Sequence, residues 1–190
     1  MARKIIKIHG CSGAGKTTAV RLLLNDSFIV TPIKNDAGKI EAYLCSNMKL
    51  KREVSVLGSY QNNCGGMDTV SKAFDAMSMV KKYEKVGHVV HEGLLQSTYY
   101  GAMGKDSVQY GDDYVYAFLD TPLELCLERV VARRAANESK NKFDPQLTVD
   151  KFRTIERLKA KLPAMGHRVV TLRHDADMLG QLYSLLGNAS

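Results

Sequence analysis

The chain of 190 residues contains no apolar run approaching the roughly 20 residues that a membrane-spanning helix needs, so a membrane span is not expected. Paired cysteines are missing as well. Cys11, Cys45, Cys64 and Cys126 form no CxxC pair and stand near no histidine cluster, which argues against a zinc site and against a disulfide framework. All four are read as reduced thiols. The isoleucine-rich start is short and soon gives way to glycines, unlike a secretory leader, and a cytoplasmic location is the expectation. Acidic residues are outnumbered, with 20 Asp and Glu against 27 Lys and Arg.

What is present is a 45% hydrophobic, 25% charged composition, enough to bury one core, and a single domain over 1–190 is the default. The net charge of +7 is concentrated. Arg129 to Arg173 holds 12 Lys or Arg and 4 Asp or Glu, a balance of +8, so the remainder is close to neutral. A basic region of this kind suits a solvated face, a triphosphate clamp or a nucleic-acid backbone, and charge alone does not choose among them.

The chain is organised around Gly10-Cys11-Ser12-Gly13-Ala14-Gly15-Lys16-Thr17, which fits the phosphate-binding P-loop pattern. Ile5, Ile6 and Ile8 before it have the composition of a buried strand, and Thr17 to Leu24 after it reads as a helix. Glycines at 10, 13 and 15 let the backbone N–H groups of the loop, including those of Ser12 and Ala14, turn toward a phosphate, and the helix dipole adds to the attraction. Lys16 is expected to reach the β- and γ-phosphates, Thr17 to offer its hydroxyl to Mg²⁺, and Thr18 to fill the first helical turn beside them.

Phe28 to Ile33 reads as a second strand, and the turn at Asn35-Asp36-Ala37-Gly38 leads into a β-hairpin excursion over about 36–57. Gly58 to Asp68 is a polar, glycine-rich loop of the kind that meets ligands. Asp68 stands where it could cap a helix whose apolar face reads Val70, Ala73, Phe74, Met77 and Val80, or serve chemistry instead. His88 to Gly93 reads as a buried strand ending in Glu92. A carboxylate at that sheet edge is placed for Mg²⁺, its waters or an attacking hydroxyl, whereas His91 is expected to be packed.

Leu94 to Gly111 has no clean periodicity, and its Tyr99, Tyr100 and Tyr110 could stack on a base, with ordinary packing the favoured reading. Tyr114 to Leu119 is a strand. Thr121-Pro122-Leu123-Glu124 opens a helix with Thr121 as N-cap and a buried stripe of Leu123, Leu127, Val130 and Val131. A polar flap from Ala135 to Gln146 and a helix from about Thr148 to Leu162 follow, then a last strand at Arg168 to Leu172 and a closing helix. A lid over about 133–150 would exclude water and bring arginines onto a transferring phosphoryl group. The expected fold class is α/β, a P-loop NTPase fold of β-α units, its parallel sheet covered by helices on both faces and its lid bearing arginines. Asn141-Lys142-Phe143-Asp144 matches a guanine-recognition pattern, but it follows a polar loop instead of a strand, and the one Asp-x-x-Gly, Asp177 to Gly180, lies in the last helix. A GTPase is disfavoured.

With the P-loop, Glu92-Gly93 and Phe118-Leu119-Asp120-Thr121-Pro122 followed by Arg129, Arg133 and Arg134, the whole chain resembles the P-loop kinases of the nucleoside monophosphate kinase group. That resemblance implies ATP as donor, Arg129 beside its adenine, Arg133 on its phosphates and Arg134 as a helper. Leu57-Gly58-Ser59-Tyr60 and Cys64-Gly65-Gly66-Met67-Asp68 are similar to a narrower set, the bacteriophage 5-hydroxymethyluracil DNA kinases, which act in thymidine hypermodification. The resemblance implies that Tyr60, Gly65, Gly66 and Asp68 approach the modified base, that Asp68 accepts the hydroxyl proton, and that the basic segment faces DNA. Lys16, Asp68, Glu92 and Arg133 are then the catalytic candidates, with Asp36 ranked behind Asp68 and Glu92 as base. A kinase of a free nucleotide, nucleoside or other small alcohol shares every feature except the Gly-Gly-Met-Asp loop, and a nucleotide-dependent binding module is the alternative outside the enzymes.

Overall fold

The computed structural model describes residues 3–62, 65–69, 76–93, 97, 100–137 and 143–187. Its seven strands are β1 (Ile5–His9), β2 (Ile29–Lys34), β3 (Ile40–Ser46), β4 (Val54–Leu57), β5 (His88–Glu92), β6 (Tyr114–Leu119) and β7 (Arg168–Leu172). They form one sheet in the order β2-β3-β4-β5-β1-β6-β7. The helices are α1 (Lys16–Asp26), α2 (Ala76–Tyr83), α3 (Gly101–Ser107), α4 (Leu123–Ala136), α5 (Pro145–Lys161) and α6 (Met178–Leu186). Among the described residues no helix is long and apolar enough to cross a membrane.

Pairing is parallel from β4 through β5, β1, β6 and β7, and antiparallel at β2-β3 and β3-β4. The expectation of β-α units throughout is therefore corrected at one edge: the hairpin does not leave the sheet but extends it, because its short turns can only join neighbouring antiparallel strands. The Asn35 side chain fixes the first turn by accepting from the backbone N–H groups of Ala37 at 3.1 Å and Lys39 at 3.0 Å. Pro32 is tolerated in β2 because that strand is the edge.

Every residue of β1, β5 and β6 is buried, so both faces of the central sheet are covered, as a parallel sheet requires. All three strands run toward the same edge, which gathers the loops after β1, β4, β5, β6 and β7 into one crevice. The described part of the helix expected after Asp68 is α2, with Met77 and Val80 buried as anticipated; Val70, Ala73 and Phe74 lie outside the described residues, as do Asn141 and Lys142.

Three local expectations change. The stretch after Leu94 contains α3, whose last residue is held from outside: the Ser107 hydroxyl shares a 2.7 Å hydrogen bond with that of Tyr116. The stripe of α4 is Cys126 and Val130, with Val131 half exposed on the other side. The expected flap is narrower than the sequence suggests, since α4 continues to Ala136 and α5 starts at Pro145, capped by Asp144 accepting from Gln146 N–H at 2.9 Å; residues 138–142 lie outside the described residues.

One central side chain is an outlier. Lys7 is 1% exposed, its ammonium 5.5 Å from the Tyr116 ring centroid, and burial lowers its pKa from 10.5 to about 7. The folded state favours the neutral amine, so stability rises as pH climbs from about 7 toward 10.5 and is flat below 7. Lys7→Met is expected to raise stability at neutral pH by a few kcal/mol and to abolish that rise. Urea melts of both chains at pH 7 and pH 10 check this; parallel curves would refute it.

Candidate active site

The loop after β1 is shaped by glycine where no other residue fits. Gly13 has φ +82°, and a Cβ there would lie 2.2 Å from the carbonyl oxygen of Cys126. Gly15, also left-handed, precedes α1, and no side chain caps that helix, leaving its N-terminus suited to an anion. The Lys16 ammonium donates to the carbonyl oxygens of Gly10 at 2.8 Å and Cys11 at 3.0 Å, which curls the lysine back over its own loop. Burial lowers its pKa, and the Glu92 charge acts the other way. The uncapped helix, the glycine-shaped turn and this lysine fit a polyphosphate.

Two carboxylates meet the lysine. Glu92 ends β5, beside β1 in the sheet, and is 2% exposed. Its Oε1 accepts from the Thr17 hydroxyl at 2.9 Å. Burial raises its pKa and the neighbouring Asp68 charge adds to this, against the pull of Lys16 and Thr17. Asp68 lies in the short helical turn Met67–Thr69 and is exposed on the cleft. The loop can reach Glu92 because Gly66 has no side chain: at φ +98°, a Cβ there would sit 2.7 Å from Glu92 Oε1. The Thr17 and Glu92 oxygens are hard donors of the kind Mg²⁺ takes alongside waters and phosphates. Among the described residues no group of three His, Cys, Asp or Glu forms a fuller metal cluster.

Helix α4 closes the other side. Thr121 was expected as its N-cap, but the helix begins after Pro122, and the buried hydroxyl instead donates to the Ala14 carbonyl at 2.8 Å. A hydrogen bond from the Cys126 thiol holds that of Cys11 below the usual thiol range. Arg129 donates to the Gly13 carbonyl at 3.3 Å. Thr121→Val should therefore leave a buried carbonyl unpaired, costing about 2 kcal/mol and lowering the melting temperature by about 4–8 °C. A calorimetric scan is the check, and an unchanged midpoint would show that this bond does not anchor the loop.

These elements enclose a cleft of about 1070 Å³. Of the predicted residues, Ser12 to Thr18 line it continuously, facing Gly65, Asp68 and Glu92 on one side and Arg129 and Arg133 on the other. Others lie elsewhere. Gly10 serves through its carbonyl, and Arg134 stacks on the Phe143 ring at 5.7 Å, off the cleft. Tyr60, expected near the base, is buried against Tyr43 and is not among the residues lining the cleft. Asp36 is exposed at the hairpin tip, away from the cleft lining. His91 is packed, as expected, against the Tyr114 hydroxyl at 3.1 Å.

A family model described as 5-hmdU DNA kinase matches residues 2–174. The chain belongs to the 5-hmdU DNA kinase family. Within it, the chain is 31% identical over 176 residues to a protein of Pseudomonas phage M6 named 5-hmdU DNA kinase, covering 87% of this chain and 89% of the relative. It is 32% identical to the protein of the same name from Pseudomonas phage PaMx11, covering 96% and 95%. It is 26% identical to 5-hmdU DNA kinase 1 of Salmonella phage ViI, covering 78% and 66%.

In this family member, sequence reasoning missed two cleft residues, His174 and Arg21, and the anchor that holds the loop from behind, Thr121. Thr121 was given a capping role. His174, whose backbone N–H and ring Nδ1 lie 2.7 and 2.9 Å from Asp120 Oδ1, lines the cleft from the loop after β7. Arg21, on α1, lines it as well and carries no motif signal.

Proposed function

We propose that the chain, as one kinase domain over 1–190, transfers the γ-phosphate of ATP to the hydroxymethyl group of 5-hydroxymethyluracil in phage DNA, a step in thymidine hypermodification. The observation that carries the reading is the convergence of Lys16, Asp68 and Glu92 on one cleft in a chain of this family.

In this P-loop reading, the loop amides and Lys16 hold the β- and γ-phosphates, and Arg129 flanks the adenine. Thr17 and Glu92 are the groups that would hold Mg²⁺, which supplies neutralisation of the phosphate charge when bound. Arg133, which lines the cleft, stabilises charge on the transferring group. Asp68 takes the proton of the acceptor hydroxyl as its oxygen bonds to the γ-phosphorus and the bond to the leaving ADP breaks. Exposure favours Asp68 over Glu92 here, because Glu92 is buried and already accepts from Thr17. The segment over about 133–150 acts as the lid, and cytoplasm of the infected host is the place of action.

The rival acceptor, a free small alcohol, is separated by salt. A DNA acceptor engaged through Z phosphates loses affinity with a log–log slope of about −0.7Z to −0.9Z. The acceptor KM, measured from 50 to 200 mM salt with ATP saturating, is expected to rise steeply. A nearly flat KM would favour the metabolite kinase.

A further inference from the structure

Four cations line the cleft among the described residues: Lys16, Arg21, Arg129 and Arg133. Three are assigned to the donor nucleotide. Arg21 is the exception, five residues past Lys16 on α1 and at the end of the cleft that carries Gly65, Asp68 and Thr69. The acceptor group itself, a hydroxymethyluracil, is neutral and gives a cation nothing to pair with.

The guanidinium is held in place from behind. Its Nη2 donates to the carbonyl oxygens of Tyr60 at 3.1 Å and Asn62 at 2.5 Å, so one nitrogen braces the loop that carries Asp68. Nε and Nη1 have no hydrogen-bond partner among the described residues. A guanidinium has five N–H donors, and Nη2 spends its two on these carbonyls, which leaves three, on Nε and Nη1, each able to meet one phosphate oxygen. A preoriented arginine with those donors unspent, lining the same cleft as the candidate base, suits an anion belonging to the acceptor.

We infer that Arg21 binds a backbone phosphodiester next to the base being phosphorylated, and so makes this site prefer a nucleotide within DNA to an acceptor lacking that charge. The inference rests on the DNA-kinase reading above. It assigns Arg21 a role in specificity in addition to its brace on the 58–68 loop.

The test compares two oligonucleotides, each with a single 5-hydroxymethyluracil: one with ordinary phosphodiesters and one with uncharged methylphosphonate links flanking the modified base. The unsubstituted chain is expected to favour the charged oligonucleotide by about 10-fold or more in kcat/KM, mostly through KM, on the scale of a charge-assisted hydrogen bond. Arg21→Gln should lose that preference, falling about 10-fold further on the charged acceptor than on the neutral one, where only the loss of the brace is felt. If Arg21→Gln lowers both equally and the preference survives, the arginine is only a brace and the inference fails. Should the variant not fold, the unsubstituted chain still decides: equal kcat/KM on the two oligonucleotides overturns the inference. Transfer by the unsubstituted chain to neither overturns the kinase reading itself, and the inference with it.

Discussion

Lys16→Ala is expected to slow phosphoryl transfer by about 100-fold or more, the scale on which removal of a preorganised electrostatic stabiliser is felt. The ammonium lies against the Gly10 and Cys11 carbonyls, buried at the mouth of α1, where charge is screened little by solvent. In the proposed reaction it meets negative charge that shifts during transfer, so the loss should fall on kcat and not only on the KM for ATP. The substitution also removes a buried charge and two hydrogen bonds, with opposing effects on stability, so the rate must be compared on protein shown to be folded by its circular dichroism. Near-normal turnover by a folded Lys16→Ala chain would remove the P-loop from the account.

Asp68→Asn is expected to lower kcat by about 100-fold to 10,000-fold with little change in either KM, since loss of a general base acts on the transition state and the amide keeps the size of the side chain. Glu92→Gln makes a contrast. Its carboxylate is buried and bonded to Thr17, the pair proposed to hold Mg²⁺, so in that reading the substitution should raise the Mg²⁺ concentration needed for half-maximal rate. Single-turnover rates with Mg²⁺ varied separate the two. If Asp68→Asn turns over normally while Glu92→Gln is dead at saturating Mg²⁺, the roles are reversed.

Residues whose chemistry is local were legible in the sequence. The spacing of Gly10, Gly13, Gly15 and Lys16 dictates a chain path by itself, because only glycine reaches φ +82° at Gly13 without meeting Cys126. Glu92 was legible for a similar reason: a short apolar run ending in a carboxylate is a strand delivering a charge to a sheet edge. Asp68 came from the family resemblance, since a polar loop alone does not distinguish a cap from a base.

What was hidden depends on partners distant in the chain. Arg21 looks like a solvated residue on α1, and its bonds run to carbonyls 39 and 41 residues away. Thr121 fits the local pattern of an N-cap, yet its hydroxyl is spent 107 residues back, on Ala14. Helix α3 escaped notice because Gly101 and Gly104 weaken its intrinsic preference. A Cβ at Gly104 would lie 2.0 Å from the Tyr100 ring, so close packing, not propensity, explains that glycine. Edge strand β2 was read as a strand, but its membership in the main sheet follows from pairing that no single stretch encodes.

The most direct measurement is transfer of labelled γ-phosphate from ATP, with Mg²⁺, to three acceptors side by side: DNA containing 5-hydroxymethyluracil, the same DNA with thymine, and the free modified nucleotide. Label on the modified DNA alone is the predicted result. Label on the free nucleotide alone would contradict it, making the chain a metabolite kinase whose basic segment serves only as a lid and a solvated face.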